Sequence, residues 1–147
     1  MEAKLIHEAD GQRTFAVIFS TGDEVMAGMK AFAEREHVSA AQFTAIGALS
    51  DATLGYFDWE TKQYRRNPVR EQVEVAAFLG DVALGPDGKP SLHIHVVLGR
   101  RDASALAGHL MEAHVRPTLE VILTESPAHL RKRHDPESGL ALIDPGI

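Results

Sequence analysis

Two apolar runs constrain this chain most: Val73–Leu84 (VEVAAFLGDVAL) and residues 92–98 (LHIHVVL), separated by Gly85-Pro86-Asp87-Gly88-Lys89-Pro90. The runs are rich in β-branched and aromatic residues, and the segment between them is dominated by turn formers, so they predict an antiparallel hairpin. Within the second run the period of two puts Leu92, Ile94, Val96 and Leu98 on one face. His93, His95 and Val97 take the other. A chain that commits this much sequence to paired strands is expected to build its core from a sheet.

The rest of the pattern agrees. Residues 14–19 (TFAVIF) read as a strand, as do residues 42–49, 53–58 and 119–124. Ser50 and Asp51 predict a turn between the second and third of these. The first long run is expected to bend at Gly80, and residues 60–68 are polar enough for a loop or an irregular hairpin. One amphipathic helix is expected over about residues 23–37. Thr21 and Glu24 have the spacing of a capping box, and Val25, Met29, Phe32 and Ala33 share one helical face. Residues 105–115 are ambiguous between helix and strand. Ser126-Pro127 predicts a short C-terminal helix to about His134, followed by a small edge strand or packed tail over residues 140–143. The expected class is α+β: a single domain with a largely antiparallel sheet, one main helix packed on it and a short C-terminal helix.

Composition narrows the function. The 147 residues can bury a core without staples, and the absence of Cys restricts any metal site to histidines and carboxylates. A formal net charge of −6 with dispersed Lys and Arg argues against a polyanion partner. The first residues carry charge too early for a signal peptide, and no apolar run approaches the ~20 residues of a membrane span. A cytoplasmic location without membrane attachment is expected. No phosphate-binding Gly-rich motif or Gly-x-Ser-x-Gly elbow is present.

The histidines remain. Positions i and i+2 on a strand are ~6.5 Å apart, so His93 and His95 can face one ion from the same side. A third ligand must come from a neighbouring element, and His109 follows the turn at Arg101-Asp102. The alternative is ordinary surface or hydrogen-bonded histidine. His7, His37, His129 and His134 have polar or helix-terminal surroundings and suggest no site. A cupin comparison fails, because no carboxylate follows His95 within five residues.

In order along the chain, IGALSDATLGYFD, VEVAAFLGDVAL, GKPSLHIHVVLG, AGHLMEAHV and TLEVILTE resemble the PPC domain family in its stand-alone prokaryotic type. The likeness covers a core of about residues 13–125, leaving 126–147 as a C-terminal extension of one domain spanning 1–147. It implies a homotrimer and a metal, zinc first among divalent ions, at His93, His95 and His109. Glu74 and Glu120 fall at acidic family positions and are candidates for a base or a partner near the ion. A small-molecule enzyme is one expectation. The alternatives are a DNA-binding, transcription-related protein and a non-catalytic oligomerisation module with a structural metal. Against DNA binding, the chain has no Arg-Gly-Arg AT-hook, and Glu71-Gln72-Val73-Glu74 replaces the Gly-Arg-Phe-Glu of plant members.

Overall fold

A computed structural model describes residues 1–147. Nine strands and one helix follow in the order β1 (Glu2–Ala9), β2 (Gln12–Ser20), α1 (Val25–Arg35), β3 (Ala40–Asp58), β4 (Gln63–Val69), β5 (Val73–Leu84), β6 (Pro90–Gly99), β7 (Ala105–Glu125), β8 (Lys132–His134) and β9 (Ala141–Ile143). Seven strands form one antiparallel sheet, β1-β2-β7-β6-β5-β3-β4, and β3 also pairs with β7. The circuit β7-β6-β5-β3-β7 therefore closes on itself, which satisfies both edges of these four strands. The hairpin of β5 and β6 forms as its sequence predicts.

The helix begins at Glu24, whose carboxylate accepts from the backbone N–H of Met26 (3.1 Å) and Ala27 (2.6 Å). Thr21 is not the cap; its hydroxyl donates to the Pro117 carbonyl instead. Glu24 also accepts from Ala113 N–H at 3.1 Å, tying the helix start to β7. Val25, Met29, Phe32 and Ala33 are buried as their spacing requires, and Phe32 meets Phe15 of β2 edge-on at 5.2 Å.

Several expectations need correction. Ser50 and Asp51 do not break the chain: β3 runs through them as an irregularity, Asp51 still pairing with His114 of β7, while its other edge passes from β5 (to Leu49) to β4 (from Ala52). Residues 63–69 form a regular strand on β3. Pairing through Gly80 is continuous, and the irregularity in β5 lies between Val75 and Ala77. The ambiguous segment 105–115 is strand, continuous with 119–124 in the single 21-residue β7. The short C-terminal helix is absent. Its residues are irregular, with a bend at Pro127-Ala128, and are tied down at both ends by Ser126 N–H donating to Ala40 O and Leu84 N–H donating to Leu130 O, both at 2.8 Å. β1 has no counterpart in the sequence reading, because all eight of its residues are exposed and carry no apolar period.

Candidate metal centre

Strand register brings the site together. His95 pairs with Leu79 of β5 on one side and with His109 of β7 on the other, and His93 pairs with Asp81. Directly paired residues project from the same face. Ile94, Val96 and Leu98 point into the core, so His93 and His95 point out of it.

Two β-bulges complete the alignment. Counting by twos from buried Val121 would place His109 on the core face. An extra residue, Met111, sits between the pairs Thr53–Glu112 and Leu54–Leu110, so Leu110 turns inward and His109 outward. Similarly, Ala76 is extra between the pairs Val75–Leu98 and Ala77–Val97. That slip sends Phe78 into the core and puts Asp81 beside the histidines.

The three rings converge. Their centroids are 4.9 Å (His93–His95), 5.4 Å (His93–His109) and 5.6 Å (His95–His109) apart. One ring nitrogen from each lies within 4.8 Å of the others. Nitrogens around a tetrahedral zinc are about 3.4 Å apart, given bonds of ~2.0–2.1 Å, so small side-chain rotations would draw the set onto an ion. His109 Nδ1 is buried without a hydrogen-bond partner. A buried ring nitrogen with nothing to bond is costly in a finished fold, and a metal is one way to satisfy it. The donor set therefore fits a divalent ion of the zinc type.

Electrostatics favour the neutral, ligating form. His109 is pushed down to about 4 by burial, then by the charges of His93, His95 and Lys132. Burial, followed by His93, also lowers His95. Asp81 Oδ2 stands 3.6 Å from His93 Nδ1. Lys132 reaches in from β8, with its Nζ 3.8 Å from Asp81 Oδ1. Tyr64 of β4 lies over His109 at 5.0 Å, where Gly55, paired opposite His109, leaves room. A Cβ on Gly55 would approach Tyr64 Cδ1 to 2.9 Å.

Neither acidic candidate joins this group. Glu74 pairs with Gly99, at the far end of the β5–β6 hairpin from Asp81 and His93. Glu120 pairs with Ile18 and Ile46, in the stretch of β7 bound by β2 rather than β6. The carboxylate that does approach is Asp81, whose one signal was an acid inside an otherwise apolar run. Lys132 and Tyr64 had no signal, since each sits among polar neighbours.

The Plants and Prokaryotes Conserved (PCC) domain model matches residues 6–127. The chain belongs to this family. Among solved PCC relatives, a plant- and prokaryote-conserved protein from Pyrococcus horikoshii is 32% identical, with a TM-score of 0.84, covering 90% of this chain and 91% of that one. A metal-containing protein from Archaeoglobus fulgidus is 31% identical (TM-score 0.82), covering 97% and 96%. A Ralstonia eutropha protein, provisionally described as DNA-binding, is 30% identical (TM-score 0.82), covering 88% and 90%. Comparison with curated proteins gives no significant match.

Proposed function

We propose that this PCC domain binds one zinc ion per chain through His93, His95 and His109, and that the ion serves a small-molecule site in a homotrimer. The observation that carries the reading is the convergence of three imidazoles, one of them with a buried, unpartnered nitrogen. The metal-containing relative from Archaeoglobus fulgidus supports it. Three neutral imidazoles leave a fourth position on the ion, from which bound zinc can polarise a carbonyl or lower the pKa of water.

Assembly has its own support. Ile18, Ile46, Leu79 and Ile122 are exposed on the outer sheet face, with Ile46 at 66% and Leu79 at 60%. They form adjoining rows through the pairs Ile122–Thr44, Thr44–Leu79 and Leu79–His95. An apolar stripe of this kind marks an interface, and the family resemblance implies three copies.

The test is metal content. Protein purified without chelator should carry near-stoichiometric metal, and His93→Ala should lose it while keeping the fold. Metal-free wild-type protein that also ignores added zinc overturns the proposal. The Ralstonia relative raises DNA binding as a second reading. Here Arg65 and Arg66 are already paired with Asp58 and Glu112, and the net charge is −6. A salt-dependent gel shift on A·T-rich duplex would revive that reading.

A further inference from the structure

Two members of the triad open into a cavity of about 290 Å³ that the C-terminal hairpin of β8 and β9 lines on its other side. His93 and His109 lie at its floor. Leu140, Leu142 and Ile143 from the hairpin make an apolar wall, and Lys132 of β8 lines it beside them. The volume is at the small end of the range for small-molecule sites, roughly 300–1,000 Å³.

Lys132 is the unusual member. Its side chain is only 6% exposed. Its Nζ donates to Ser91 Oγ at 3.3 Å and to Ser91 O at 3.5 Å, both long for charge-assisted bonds. The nearest carboxylate oxygen, Asp81 Oδ1, is 3.8 Å away and is itself buried without a hydrogen bond. An ammonium kept for stability alone would close on that carboxylate, because a loosely paired buried charge does not recover its desolvation cost. This one stands 3.8 Å from it, on a residue that lines the cavity. With a divalent ion on the triad, Asp81 cannot balance both the ion and Lys132, and the cavity stays cationic.

We propose that this cavity is the substrate site of the metal centre and that it takes a small monocarboxylate with a short apolar body. One carboxylate oxygen would occupy the open metal position and the other would accept from Lys132 Nζ. The apolar end would lie against Leu140, Leu142 and Ile143. The inference rests on the triad holding a metal. A carboxylate suits the site better than inorganic phosphate, which has no apolar part to set against the leucine wall.

The test uses the full chain loaded with cobalt(II), whose visible absorption reports the ion's ligands and whose content is measured independently. Isobutyrate should change the spectrum and bind at least tenfold more tightly than isobutyramide, its neutral counterpart. In Lys132→Met, with cobalt content unchanged, isobutyrate should bind roughly tenfold to hundredfold more weakly, the loss of one charged hydrogen bond. Should that variant misfold, the wild-type comparison of acid with amide decides alone. Stoichiometric cobalt with equal responses to acid and amide, undiminished binding in Lys132→Met, or tighter binding of phosphate would each overturn the inference while sparing the metal site. Failure to take up cobalt at all would remove both.

Discussion

Replacing His109 by leucine separates a ligand from a structural histidine. In the metal-free protein the ring is half-buried with Nδ1 unpartnered, a state costing about 1–3 kcal/mol. Leucine has similar bulk and no polar atom. It forfeits the contact with Tyr64, 5.0 Å between centroids, worth about 0.5–1.5 kcal/mol. The balance is about 1 kcal/mol in favour of His109→Leu in chelator, a rise of about 2–4 °C in Tm for a chain of this size. With zinc at 100 times its Kd the order should invert. Wild type gains about 2.7 kcal/mol, and the variant, left with two imidazoles, gains under about 1 kcal/mol. Calorimetry in chelator and in zinc reads both arms. If His109→Leu loses more than about 2 kcal/mol in chelator, or if zinc raises both proteins equally, the ring is structural and the reasoning fails.

Acid titration gives a second readout of the same ring. His109 titrates near 6.5 when unfolded and at about 4 when folded, so the unfolded chain takes the proton first. Stability in chelator should thus fall as pH drops from 6.5 towards 4, by about 1–2 kcal/mol after allowing for solvent around a half-buried ring, and His109→Leu should flatten that slope. Arg13 Nε and Nη2 donate to Glu125 at 2.6 and 3.0 Å, and Glu125 is buried. Arg13→Ala should therefore cost about 2–3 kcal/mol in urea unfolding, by stranding the carboxylate; a loss below about 0.5 kcal/mol would show the pair to be idle. Leu79→Asp should leave each chain folded but shift sedimentation from trimer to monomer, whereas a wild type already monomeric at tens of micromolar would contradict the assembly.

Much of the sheet was legible because its signals are local. The hairpin of β5 and β6 follows from two apolar runs around a turn cluster, and alternation along β6 puts Ile94 inward and His93 and His95 outward without reference to anything else. The helix is likewise written in the spacing of Val25, Met29, Phe32 and Ala33. Errors arose where distant partners overrode local preference. Ser50 and Asp51 suit a turn, yet pairing with β7 carries β3 across them with only a register shift. Ser126-Pro127 suits a helix start, yet backbone bonds to Ala40 and Leu84 hold the segment in an irregular, non-helical path.

The sequence by itself determined a β-rich domain with one helix and two histidines projecting from the same side of a strand, since both follow from periodicities of two and 3.6 residues. Its place after a turn and the family resemblance single out His109, but only the tertiary structure decided how it comes to face them and that Asp81 and Lys132 join. Strict alternation would have buried His109, and a single extra residue at Met111 turns it outward; another at Ala76 does the same for Asp81. Such slips arise from pairing with other strands, and Lys132 arrives on a hairpin far along the chain, so no local pattern records how any of the three is placed.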